Sequence, residues 1–305
     1  MPIDGLGTLA RDISVATYTL SVGKIRTNSH EGLGQQKTLG PQAARLLAVL
    51  HEKRRTVFTV GDVQDVTGLG PKSTRNFVGK LVRRGVATRL KPGLFILVPF
   101  ELGREREYLG NPYIVARSLA AGGDYYLSHA SAMDAHRMVT QPQLVVYVTS
   151  SLPLRGRTIL GTEFRFVRCK PEHLFGLAEH WVDKTKTVLI SDLERTVIDG
   201  LKQPEYCGGI VEVAKGYWMR RGDLNIGRLV GYALRLDVGA VIRRLGFLLE
   251  TSGVDEPTAL ERLRARLTAT YHLLAPTLPV EGHRVARWRL RLNVSPEELE
   301  AVRST

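Results

Sequence analysis

Only two cysteines occur in this chain of 305 residues, Cys169 and Cys207, and neither has a His or Cys at metal-ligand spacing. That excludes a disulfide framework and a zinc finger, and both thiols are expected as small buried hydrophobes in a reducing cytoplasm. No run of about 18 apolar residues is present, so no membrane-spanning helix is expected. Asp4 and Asp12 stand where a signal peptide would be basic and then apolar, which points to a cytoplasmic protein. His129, His136, His173 and His180 are too scattered for a motif such as H-E-x-x-H. There is no G-x-x-x-x-G-K-[ST] phosphate loop. The Gly68-Leu69-Gly70 turn lacks the strand-to-helix context and acidic partner of a dinucleotide site. No internal repeat or low-complexity tract stands out. Neither a metal nor a cofactor is expected on these grounds.

Acidic residues are also in short supply: 30 Asp and Glu face 43 Lys and Arg, a net charge of +13. The excess is concentrated. Residues 41–100 hold 11 basic against 3 acidic residues, so +8 of the +13 lies in 60 positions. A focused positive field raises the local concentration of polyanions and their association rate. Within this stretch, residues 57–98 read as short strand, short helix, glycine turn, basic helix, and two strands around Lys91-Pro92-Gly93. That order is the layout of a winged helix-turn-helix, whose second helix enters the DNA major groove.

The chain divides into three parts by composition. Residues 1–40 read as an arm or linker, polar and rich in Gly, Ser, Asn and Gln from residue 23. Residues 41–105 are expected as the winged helix-turn-helix domain. Its first helix starts at Pro41, Thr59 or Gly61 caps the next, and Pro71 opens the third, which ends at Gly85. Residues 106–305 are expected as a larger mixed domain, after the charged tract ELGREREYLG at 101–110. In it, Tyr125–His136 reads as a helix, Leu144–Thr149 as a buried strand and Glu163–Arg168 as a further strand. Ile210–Val254 reads as helical, Thr258–Leu274 as an amphipathic helix, and Ala286–Val294 as a late strand. The fold class is therefore α/β in the broad sense, a mixed α+β chain.

On the third helix Phe77, Val78, Leu81 and Val82 make the inward stripe. Ser73, Arg75 and Asn76 then face outward near the helix start, where side chains reach base edges; Arg forks onto guanine and Asn onto adenine. Lys72, Lys80 and Arg83, with the wing residues Arg89 and Lys91, are the candidates for phosphate or minor groove. The bland alternative is the solvated charged face that any amphipathic helix carries.

The tract TVLISDLERTVIDGLKQPEYCGG at Thr187–Gly209 places Ser191 or Asp192 to cap a helix and Glu194 in its first turn. Asp192, Glu194, Arg195 and Asp199 form a compact set of charges; capping with local ion pairing outweighs a catalytic role. The basic winged helix, YYLSHASAMDAHRMVTQ at Tyr125–Gln141, LVVYVTSS, ISDLERTVIDGL and RWRLRLNV follow in that order. The succession, over roughly residues 40–295, resembles the AbiEi family of antitoxins. The resemblance implies a winged domain that binds inverted repeats in its own promoter, and a C-terminal domain that neutralises a nucleotidyltransferase toxin encoded beside it. It carries over no catalytic residues, so no enzyme is expected. One winged domain has a modest footprint, so two copies on one face of the duplex are expected, about one helical turn apart or a multiple of it.

Two other readings stay open. One is a winged-helix regulator whose second domain senses a small ligand. The other is a metal-dependent nuclease, for which Glu212 with Lys215, or Glu163 near Lys170, would have to imitate a carboxylate-lysine site. His129 and Ser131 suggest a nucleophile pair only if the fold brings them together.

Overall fold

The structure is a computed structural model that describes residues 39–120, 123–139 and 144–302. The first 38 positions of the expected arm lie outside the described residues. The architecture is mixed α+β.

The basic segment begins with α1 (Pro41–Glu52), entered through a proline whose missing N–H costs a first turn nothing. β1 (Val57–Thr59) follows, and Thr59 caps α2 (Val60–Thr67) in a reciprocal box with Asp62. Gly68 ends α2 in the left-handed region at φ 69°, a conformation glycine adopts without a Cβ penalty. α3 (Pro71–Arg83) comes next, and then β2 (Ala87–Lys91) and β3 (Leu94–Leu97). These strands form an antiparallel sheet in the order β1-β3-β2. Leu46, Leu50, Phe58, Val63, Val78 and Leu81 close a core between the three helices and this sheet.

The remainder is built on a six-stranded sheet. α4 (Pro112–Leu119) starts at Asn111, whose side chain accepts from the N–H groups of Tyr113 and Ile114. β4 (Tyr125–Leu127) and α5 (His129–Ala135) occupy the stretch expected as one helix. The first three residues join the sheet because Tyr126 and Leu127 bury fully between β5 (Val145–Ser150) and later strands. β6 (Arg157–Ile159), β7 (Thr162–Arg168), β8 (Leu177–Asp183) and β9 (Lys186–Ser191) complete the order β6-β7-β5-β4-β9-β8. The β5–β7 and β4–β9 pairs are parallel and the rest antiparallel.

α6 (Leu193–Lys202) is the hub of the helical layer. Every residue from Glu194 to Leu201 is buried, against α7 (Ile210–Arg220), α8 (Ile226–Leu236) and α9 (Gly239–Thr251). The long helix expected from Thr258 to Leu274 is shorter: α10 spans Pro257–Arg264, and β10 (His272–Leu273) follows. The buried Arg243 guanidinium binds the Thr268 carbonyl and hydroxyl, at 3.0 and 2.8 Å, which uses groups a continued helix would need. The late strand is likewise divided into β11 (His283–Val285) and β12 (Leu290–Leu292), because Arg289 turns into the left-handed region and Trp288 swings inside. α11 (Pro296–Ala301) ends the described chain with a Ser295–Glu298 capping box.

Apolar packing crosses the tract where the sequence suggested a boundary. Leu90, Leu94 and Ile96 share one cluster with Ile114, Leu119, Phe164 and Ile190. The described residues cluster as one compact unit.

Candidate nucleic-acid interface

α3 has one greasy side and one cationic side. Thr74 is fully buried and its hydroxyl donates to the carbonyls of Leu69 and Gly70, at 3.1 and 3.0 Å, so the helix start is pinned to the preceding turn. Val78 and Leu81 lie in the core, with Phe77 and Val82 half-buried beside them. Lys72, Ser73, Arg75, Asn76, Lys80 and Arg83 are all exposed, as the helical period required. None of these four cations makes an ion pair with a described residue; Arg75 is steadied by a 3.3 Å bond from Nε to the Pro71 carbonyl. Arg89 is exposed on β2. Between α3 and the β2–β3 turn runs a cleft of about 470 Å³, walled by Arg75, Gly79, Val82, Arg89, Pro92 and Phe95. Arg75 and Arg89 thus stand on opposite sides of one depression.

Lys91 is placed differently from the other candidates and is half-buried. Its ammonium donates at 2.9 Å to the carbonyl of Leu119, the last residue of α4, instead of facing solvent with the others. Burial there, with the Arg157 guanidinium nearby, lowers its pKa. The reason is the packing across the boundary tract: the sheet lies on α4, and the lysine satisfies a helix-end carbonyl with no intrahelical partner.

Arg104 and Arg106 line a groove with Arg83 and Arg89, which their sequence positions did not reveal. Arg104 and Arg106 stand exposed in the charged tract that marked a boundary only by its composition. Nothing in their spacing shows that the tract folds back along β2, where the Tyr108 N–H meets the Thr88 hydroxyl at 2.9 Å. Lys53, Arg54 and Arg55 follow α1, and Arg55 is tied to Asp62 at 2.6 Å.

Asp192, Glu194, Arg195 and Asp199 cap α6 or pair with neighbouring side chains. Asp192 caps α6, accepting from the Arg195 N–H at 2.7 Å and the Tyr232 hydroxyl at 2.8 Å. Glu194 is completely buried and accepts from the Asn225 N–H at 2.8 Å and Arg228 at 2.9 Å. Arg195 and Asp199 pair at 2.9 Å at 1% and 3% side-chain exposure. The Tyr126 hydroxyl donates to Asp199 at 3.0 Å and accepts from Arg195 at 3.0 Å. Burial, and then the Asp199 charge, push the Tyr126 pKa well up, so it stays a neutral phenol. Each of these carboxylates accepts from protein donors, though among the described residues Glu194 Oε2 is buried without a partner; they lie on different sides of one helix.

His129 and Ser131 are not brought together. The Ser131 hydroxyl accepts from the Tyr147 N–H at 2.9 Å and donates to the Val145 carbonyl at 3.3 Å. Ser128 occupies the cap position of α5 but makes no capping bond; its hydroxyl meets His129 Nδ1 and the Thr149 hydroxyl, each at 2.8 Å. Among the described residues, no three His, Cys, Asp or Glu side chains are placed to hold a metal ion. Glu212 and Lys215 pair with each other at 2.9 Å on α7, and Glu163 pairs with Arg165. Cys169 and Cys207 are free and buried. No helix among the described residues is long and apolar enough to cross a membrane.

His129 carries a pH signature. Its ring is fully buried, and that burial lowers its pKa to about 4 against an ordinary 6.5. A depressed histidine favours the folded state while neutral, so this stability is present above pH 6.5 and is lost as pH falls toward 4. Between pH 7 and 5 the loss from this group is about 2 kcal/mol. Urea midpoints at the two pH values measure it. In His129→Asn, a residue that accepts the left-handed φ of 51° found here, the pH dependence should be shallower; an unchanged slope would refute the assignment.

No known family's sequence profile matches this chain, and no curated protein does. Among solved structures it is similar to the crystal structure of the RV2827C protein from Mycobacterium tuberculosis, with a TM-score of 0.64. The match covers 89% of this chain and 97% of that one at 18% identity, which establishes a shared fold.

Proposed function

We propose that this chain is a DNA-binding transcriptional autorepressor and antitoxin of the AbiEi type. Its winged helix-turn-helix would read an inverted-repeat operator in double-stranded DNA, and its larger part would neutralise a nucleotidyltransferase toxin encoded beside it. The observation that carries the DNA half is the exposed, unpaired cationic side of α3 facing Arg89 across a cleft. The antitoxin half rests on the ordered motifs from Tyr125 to Val294, and the cytoplasm is the compartment that fits both halves.

Because Lys91 is diverted, Lys72, Lys80, Arg83 and Arg89 are the phosphate contacts of each copy. Four neutralised phosphates give a log–log salt slope of about −3.6 per chain, at about 0.9 per phosphate. A flat salt titration would sink the proposal.

The division of labour is tested on the whole chain, since a cut near residue 108 would strip Leu90, Leu94 and Ile96 from the cluster they share with α4. Arg75→Ala with Asn76→Ala should abolish repression yet still rescue growth when the toxin is co-expressed. Loss of rescue in the folded variant would argue against separate functions.

One observation favours a second reading, a regulator that senses a small ligand. An apolar pocket of about 260 Å³ lies between α7, α9 and α11, lined by Tyr217, Trp218, Phe247 and Leu274. Ligand-dependent release of DNA without any neighbouring toxin gene would support it.

A further inference from the structure

The cleft between α3 and the β2–β3 turn does not end at α3. Val82 and Arg89 line it and also line a larger groove of about 960 Å³, whose other walls are Arg83, residues 104–107 and the β6–β7 turn at Leu160. The two depressions adjoin at Val82 and Arg89, so arginines line adjacent hollows from Arg75 past Arg89 to Arg104 and Arg106.

The strap at 104–107 is fastened along the larger groove. Arg106 lies so close to Gly85 that a Cβ there, at φ 67°, would sit 2.8 Å from its own Cβ. Its guanidinium also donates to the Arg83 carbonyl at the end of α3. The Tyr108 N–H bond to Thr88 holds the other end. Arg104 is therefore presented from an anchored segment, exposed and without an ion pair among the described residues. The lining holds four arginines, 83, 89, 104 and 106, against two glutamates, 105 and 107, and among the described residues none of these four pairs with either glutamate.

We propose that this groove is a second phosphodiester-backbone site, in which Arg104 and Arg106 hold duplex flanking the segment read by α3. The inference rests on the DNA-binding reading above and extends it from α3 and β2 to the strap at 104–107. Its chemistry is that of a positioning contact: arginine forks match phosphate oxygens, carry no base code, and fix register on the duplex.

The test uses the full chain and a duplex selected by it from a random-sequence pool. A hydroxyl-radical footprint defines the core, and affinity is measured on the core alone and on the core with about one helical turn added at each end. Arg104→Ala, and Arg104→Ala with Arg106→Gln to keep the stem packed on Gly85, should bind the long duplex about fivefold more weakly. Their salt slope on it should be shallower by about 1 for each phosphate no longer neutralised, and their binding to the core should be unchanged. Wild-type affinity and slope on the long duplex overturn the inference, as does an equal loss on both duplexes. Binding of polyglutamate that the strap variants lose, with duplex binding intact, also overturns it and marks the groove for an acidic protein. In each of these cases the reading of α3 survives if Arg75→Ala with Asn76→Ala still weakens binding at least ~30-fold. If that variant binds as the wild type does, or if no duplex is selected, the DNA-binding reading falls and this inference with it.

Discussion

Replacing Arg75 and Asn76 together by alanine should weaken binding to the selected duplex at least ~30-fold while leaving the fold intact. A good two-bond contact to a base contributes about 1–3 kcal/mol of discrimination, so a pair contributes at least ~2 kcal/mol. The low end is the safer figure, because Arg75 gives up its 3.3 Å bond to the Pro71 carbonyl when it reaches a base. Both side chains are exposed on α3, away from Thr74, Val78 and Leu81, and exposed substitutions cost at most ~0.5 kcal/mol of stability. Base preference should relax at the contacted positions, whereas Lys80→Ala should weaken all sequences alike and lower the salt slope by about 1. A folded double variant with wild-type affinity and footprint would refute the base-reading role.

The second large effect concerns stability. Asp199→Ala should destabilise the chain by about 3–5 kcal/mol, because Arg195 would remain ionised at 1% exposure without its counter-charge. The Tyr126 hydroxyl loses its acceptor in the same step, and the Phe175 ring, 4.3 Å from the guanidinium, cannot replace a carboxylate. Arg195→Met with Asp199→Leu removes both charges and should recover much of the loss, since a buried pair replaced by apolar groups of similar volume is often neutral. Urea unfolding of the single and double variants decides it. A single variant that loses less than ~1 kcal/mol would mean that water reaches the pair and that α6 is not the dry hub its burial indicates.

The contrast between these sites shows what the residue order could reveal. Thr59, Gly68 and Pro71 punctuate the chain with local chemistry, and α1, α2 and α3 begin and end close to where those signals lie. The outward set on α3 follows from periodicity alone. Asp192 was legible as a cap for the same reason. Lys91 was not, because its fate depends on Leu119, 28 positions away, and no local rule carries that distance. Tyr125–Leu127 has helical neighbours and becomes a strand only through pairing with β5 and β9. The β8 strand was missed because it lies at the sheet edge with alternate residues half-buried, leaving no apolar run to notice. Arg104 and Arg106 looked like linker charge, and only the fold sets them beside Arg83.

Lysine acetylation footprinting, with and without saturating selected duplex, most directly tests the claim that the cationic side of α3 meets DNA. Lys72 and Lys80 are exposed on that side, whereas Lys91 is already held on the Leu119 carbonyl and serves as an internal control. The prediction is strong protection of Lys72 and Lys80 by duplex and an unchanged, slow rate at Lys91. Equal modification of Lys72 and Lys80 with and without bound duplex would contradict it.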